Sequence, residues 1–191
     1  MTSQTQYWNR LIQPGIVALV GAGGKTTVLS KLVEYGRLQG RPIVVTTTTH
    51  LYESQVAQYE PIYTKNINDV DEYCTKRIQQ GYCGAWFNGI TRTKVDAVDC
   101  ESIDGLSALH PNWQIVVEAD GAKEKWLKAP KHTEPVIPSQ TKTTIGVVNL
   151  QMLGASLDED HVHNLELVQS IVHREEGAIV TPHMLAQIVL H

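Results

Sequence analysis

The segment Val17-Ala18-Leu19-Val20-Gly21-Ala22-Gly23-Gly24-Lys25-Thr26-Thr27 constrains this chain more than any other. The apolar run Ile16 to Val20 has no polar break, as expected of a strand buried on both faces. A glycine turn follows, and Lys-Thr-Thr then opens a helix predicted over 26–38, with Val28, Leu29, Leu32 and Val33 on its inner face and Gly40 as its stop. A strand feeding a glycine turn into a helix N-terminus aims free backbone N–H groups and the positive end of the helix dipole at one spot. That spot suits an anion. A lysine there adds a mobile positive charge, and the hydroxyl beside it suits Mg²⁺.

The spacing is shorter than the usual phosphate loop, G-x-x-x-x-G-K-[ST]. Counting back five from Gly24 gives Leu19, and the chain reads G-x-x-G-K-T-T from Gly21 to Thr27. This resembles the ATP loop of the Mur ligases and folylpolyglutamate synthases, and it lacks the extra lysine of ParA/MinD-type loops. Gly21, Ala22, Gly23, Gly24, Lys25, Thr26 and Thr27 are therefore expected to cradle the phosphates of ATP or GTP.

A second stretch completes the expectation. Trp113-Gln114-Ile115-Val116-Val117-Glu118-Ala119-Asp120-Gly121 is an apolar strand ending in acids. This is the Walker B pattern, in which a carboxylate at the strand's end reaches the metal held at the phosphate loop. Glu118 and Asp120 are two apart, so an extended strand puts both on one side. Thr26 with Asp120 is expected to place Mg²⁺, with Glu118 as the alternative metal acid or the base that orients an attacking group. Lys25, Glu118 and Asp120 are the candidate catalytic residues.

Ile43-Val44-Val45 reads as the second strand of a βαβ unit, and Thr46 to Thr49 stand at its C-terminal end, where open α/β sheets place ligands. The run Ala122 to Pro138 carries four lysines and three prolines and begins where the Walker B strand ends. Thr47, Thr48, Thr49, Lys123 and Lys128 are the candidates for contact with a second substrate. Helices are predicted from a cap at Asn68-Asp69 through Gln80, over 102–109, and after Thr181-Pro182, where an N-cap precedes proline at the first helical position. Thr144 to Leu150 reads as a further buried strand, and His161 and His163 as helix-start or surface residues. The β-α-β rhythm argues for a single three-layer α/β domain over 1–191, with a mainly parallel sheet of P-loop NTPase type.

Composition narrows the classes. A net charge of -4 gives no basic footprint for nucleic acid. No apolar run approaches the ~18 residues of a membrane span, and the polar stretch Met1 to Arg10 lacks a signal-peptide core. Three scattered cysteines, Cys74, Cys83 and Cys100, show no zinc spacing and fit a reducing cytoplasm as buried small residues.

Three stretches together carry a family resemblance: Val20 to Thr27; Val45-Thr46-Thr47-Thr48-Thr49-His50; and Glu118-Ala119-Asp120-Gly121-Ala122-Lys123 with Leu127-Lys128-Ala129-Pro130 and Glu134-Pro135-Val136-Ile137-Pro138. From about Gly15 onward the chain resembles the YqeC family, accessory proteins of selenium-dependent molybdenum hydroxylases, also labelled selenium cofactor biosynthesis proteins. The resemblance implies a cytoplasmic nucleotide-binding protein that helps mature a molybdenum- or selenium-containing cofactor. Its partner would be a small cofactor precursor or the molybdenum hydroxylase itself. Lys123-Glu124-Lys125-Trp126 stands where the family pattern has glycine and proline, His163-Asn164 stands where it has His-Arg, and a further strand is expected after His191. Three activities fit: an ATP- or GTP-dependent enzyme acting on a cofactor precursor, a nucleotide-dependent switch or chaperone delivering the cofactor, or a module that only binds a phosphorylated cofactor such as a pterin.

Overall fold

The computed structural model describes residues 7–191 apart from Asn9. Most of the stretch read for a leader, residues 1–6 and Asn9, lies outside the described residues. In chain order the elements are β1 (Gly15–Gly21), α1 (Lys25–Leu38), β2 (Ile43–Thr47), β3 (Leu51–Tyr52), α2 (Glu53–Val56), β4 (Ile62–Tyr63), α3 (Ile67–Gln79), β5 (Gly84–Phe87), β6 (Gly89–Thr91), β7 (Lys94–Asp96), α4 (Cys100–Leu109), β8 (Gln114–Glu118), β9 (Leu127–Lys128), β10 (Thr141–Val147), β11 (Val162–His163), α5 (Leu165–Val172) and α6 (Pro182–Leu190). Short 3₁₀ turns cover Ala57–Tyr59 and Leu150–Met152.

Six strands form the central sheet in the order β10-β1-β8-β2-β5-β4, and every neighbouring pair is parallel. Alternation along the strands makes two faces. Val17, Leu19, Ile43, Val45, Ala85, Phe87 and Val116 point to the side covered by Leu29, Leu32 and Val33 of α1. Ile16, Ala18, Val44, Trp86, Ile115 and Val117 point to the side covered by Val70 and Cys74 of α3 and Ile103 and Leu106 of α4. The result is a three-layer α/β architecture with a mainly parallel sheet, as the sequence rhythm predicts. A third apolar cluster lies apart from these faces. It joins Leu127 and Ala129 to Met152, Val162, Leu165, Val168, Met184, Leu185 and Ile188, and so packs β9, β11, α5 and α6 together.

One reading of local structure changes. β10 is the sheet's edge strand, starting at Thr141, and its residues alternate between half-buried and exposed. The run Thr144 to Val148 looks buried in the sequence because β-branched residues suit an edge as well as a centre. Trp8 and Leu11 pack on the α1 side of the sheet, with Trp8 stacked on Tyr35 at 5.7 Å, while Tyr7 is exposed. Cys74 and Cys83 are buried, and burial pushes the Cys74 thiol up to about 12. Among the described residues, no helix is long and apolar enough to cross a membrane.

Candidate functional site

The C-terminal ends of β1, β8 and β2 lie side by side, with Leu19 and Thr47 both in register with Glu118. Ligands of open parallel sheets bind outside this edge. Three glycines shape the turn leaving β1. Gly21, Gly23 and Gly24 have φ of 95°, 67° and 133°, the region that disfavours side chains. At Gly21 a Cβ would also lie 2.3 Å from the Val147 carbonyl oxygen. That close approach lets Ala22 N–H donate to the same carbonyl at 3.1 Å and ties the turn to β10.

Helix α1 starts without a cap. Asn66, Asp99 and Thr181 each accept a backbone N–H at the start of α3, α4 and α6, whereas Gly24 at the start of α1 has no side chain to do so. The first helical bond there is Val28 N–H to Gly24 C=O, so the preceding N–H groups are left to an outside acceptor. These residues border a cavity of about 640 Å³, lined by Gly23, Gly24, Lys25 and Thr26 and, across from other elements, by Thr49, Tyr52, Gln55, Lys94, Glu118, Lys123, Trp126, Glu134, Asn149 and His163.

Lys25 and Glu118 form its charged floor. The Lys25 ammonium donates to Gly21 C=O at 2.6 Å and lies 3.7 Å from Glu118 Oε1, and both side chains are buried. Burial lowers the Lys25 ammonium from its ordinary value, and attraction to Glu118 partly restores it. Burial likewise raises the Glu118 carboxyl, with Lys25 pulling it back. A buried pair of this kind costs desolvation on both sides.

Asp120 takes a different position. β8 ends at Glu118, so strict alternation stops before Asp120 and the two carboxylates do not face one cavity. Asp120 Oδ2 accepts the Gly21 N–H at 3.1 Å, and Oδ1 is paired with the Lys128 ammonium. It lines a second, smaller cavity of about 130 Å³ with Val20, Gly21, Leu127, Lys128 and Val147. Lys128 also meets Glu134 Oε2 at 2.7 Å and Gly121 C=O at 2.7 Å, so its three N–H groups are all used inside the protein.

The threonines divide in the same way. Thr46 donates to Trp86 C=O, Thr47 to Glu118 C=O at 2.7 Å, and Thr48 to Val136 C=O at 2.6 Å. Thr49 is the member of the four that lines the main cavity. Lys123 lines it too, and Thr26 Oγ1 accepts from the Gln55 amide at 3.3 Å. The structure thus brings together Gly23, Gly24, Lys25, Thr26, Thr49, Glu118 and Lys123, and sets Asp120, Thr47, Thr48 and Lys128 to hold the surrounding backbone.

Sequence reading missed Gln55, Asn149, Trp126 and His163 at this cavity. His163 belongs to β11, not to a helix start or open surface, and β11 pairs with β9 so that His163 stands opposite Lys128. Burial, then the charges of Lys123 and Lys128, hold its imidazole below the usual histidine range. His161 instead donates from Nδ1 to the Asp158 carboxylate at 2.6 Å. Two-residue strands such as β9 and β11 carry no periodic signal. No local pattern could have joined them.

Fold and loop define a three-layer α/β protein with a mainly parallel sheet and a glycine turn feeding an uncapped helix, P-loop-like in its layering. A family model described as "YqeC protein" matches residues 17–166. The chain belongs to the YqeC family. A relative in Escherichia coli (strain K12), "Uncharacterized protein YqeC", is 29% identical over 180 residues, spanning 94% of this chain and 69% of the relative. No solved structure matches the chain.

Proposed function

We propose that this chain binds the phosphates of ATP or GTP with Mg²⁺ at residues 21–27. The bound nucleotide drives an enzymatic step in maturing the cofactor of a selenium-dependent molybdenum hydroxylase, in the cytoplasm. The observation that carries the nucleotide part is the buried Lys25–Glu118 pair at the mouth of an uncapped helix, lining a cavity of about 640 Å³. The hydroxylase part rests on the family resemblance alone.

Mg²⁺ fits the donors present. Among the described residues no cluster of three or more His, Cys, Asp or Glu could hold a metal. An ion carried in by phosphates needs only a hydroxyl and a carboxylate from the protein, the usual habit of Mg²⁺. Thr26 and Glu118 are the residues that would hold it, since both line the cavity while both Asp120 oxygens are engaged elsewhere. The ion would neutralise charge developing on the phosphates. The chain's own groups do the binding: the N–H groups of residues 23–26 and Lys25 fix the phosphates.

A second reading is a nucleotide-dependent switch that hands the cofactor to an apo-hydroxylase. Asp120 favours it, because this carboxylate connects Gly21 of the loop to Lys128 of β9, whose neighbours Leu127 and Ala129 belong to the third cluster. Calorimetric titration with ATP and with GTP, each with Mg²⁺, tests the reading common to both. One equivalent of a nucleotide should bind at micromolar to submillimolar concentration, and binding should weaken when Mg²⁺ is chelated. No heat from either nucleotide with a folded chain would refute it.

A further inference from the structure

The main cavity extends past the loop to residues the nucleotide reading leaves unused. One part of its wall comes from the segment after β8, with Lys123 and Trp126, and from β11, with His163. Another comes from Tyr52 and Lys94 of β3 and β7. Within this wall Lys94 sits over the Tyr52 ring at 4.9 Å, and the Lys125 ammonium donates to Asp160 C=O at 3.1 Å. Lys123 and the His163 ring have no hydrogen-bond or ion-pair partner among the described residues. The His163 ring is nonetheless held in place, whereas Lys123 is exposed on the segment after β8. Trp126 and Leu127 N–H both donate to His161 C=O, which fixes β11 against β9. His163 stands in register with Lys128, whose ammonium is locked to Asp120 and Glu134.

We propose that Lys123 and His163 form the subsite for a second substrate, a small aromatic anion bearing a phosphate or carboxylate group. This rests on the nucleotide reading of the same cavity. The anionic group is recognised by the Lys123 ammonium and by one hydrogen bond from the His163 ring. The aromatic body is recognised by the half-exposed Trp126 ring, which lines the same cavity. The charged groups bearing on His163 are Lys123, Lys128 and Lys131, opposed by Glu134. Their sum is positive, so an anion arriving there relieves repulsion rather than adding to it.

The test is proton NMR of the His163 ring, assigned by its loss in His163→Asn, on the full chain first saturated with ADP and Mg²⁺. Phenyl phosphate and benzoate are the anionic probes and phenol is the neutral control. An anionic probe should raise the pH midpoint of His163 by about one unit or more, as a nearby opposite charge does for a cation. Phenol should leave it in place, and Lys123→Gln, measured with ADP still at saturation, should abolish the effect of the probe. Absence of a midpoint change with either anion while ADP binds would overturn the subsite and spare the nucleotide site. So would a change that Lys123→Gln does not remove, or phenyl phosphate displacing ADP. Failure of ADP itself to bind would instead strike the nucleotide reading, and both proposals would fall.

Discussion

Lys25→Ala should lower nucleotide turnover about 10²–10³-fold, the usual cost of removing a preorganised charge aimed at a reacting phosphate. Lys25 is held within the loop, 2.6 Å from Gly21 C=O, so it is positioned before any ligand arrives. The fold should survive the change. Truncation leaves Glu118 without its counter-charge, but burial already pushes this carboxyl up from its ordinary value. Without Lys25 it rises further, takes a proton and becomes a tolerable neutral group. Steady-state phosphate release, run beside far-UV circular dichroism, checks both halves. Undiminished turnover in the folded variant would remove Lys25 from the site. Glu118→Gln makes a useful companion, since it keeps the packing and deletes the charge.

Lys128→Met should produce the largest loss of stability. The Lys128 side chain is fully buried, and its ammonium serves Asp120, Glu134 and Gly121 together. Removing one partner of a buried pair leaves a stranded charge and costs about 3–5 kcal/mol. For a domain of this size that lowers Tm by roughly 6–20 °C. Pairing the change with Asp120→Asn should recover part of the loss, because the stranded carboxylate is gone while an oxygen remains for the Gly21 N–H. The network joins Gly21, the segment after β8 and the third apolar cluster, so nucleotide affinity should fall as well. Differential scanning calorimetry of the single and double variants reads the first effect. A single variant within 2 °C of the parent would show, on the same scale, that the cluster contributes little.

The parts of the fold legible in the sequence are those whose signals are local. β1, the glycine turn and α1 follow one another without interruption, and each has its own physical mark: an unbroken apolar run, positive φ at Gly21, Gly23 and Gly24, and a helical stripe at Val28, Leu29, Leu32 and Val33. β8 announces itself in the same way. The harder parts depend on partners distant in the chain. Thr47 and Thr48 look like a ligand-facing wall in the sequence, yet their hydroxyls satisfy the Glu118 and Val136 carbonyls, 71 and 88 residues away. Lys128 looks like a solvated or substrate-binding lysine until Asp120 and Glu134 are brought around it. Glu118 and Asp120 look equivalent on a strand two residues longer than β8 is. His163 reaches the cavity through a pairing of two-residue strands that no periodicity reveals.

The central claim is that the backbone of residues 23–26 holds phosphate. Amide chemical-shift mapping on the ¹⁵N-labelled chain tests it most directly. On adding ADP with Mg²⁺, the largest shifts should fall on the N–H groups of Gly23, Gly24, Lys25 and Thr26, with Glu118 and its neighbours following. Saturable shifts elsewhere with these four amides unmoved, or no shifts at millimolar nucleotide, would contradict it.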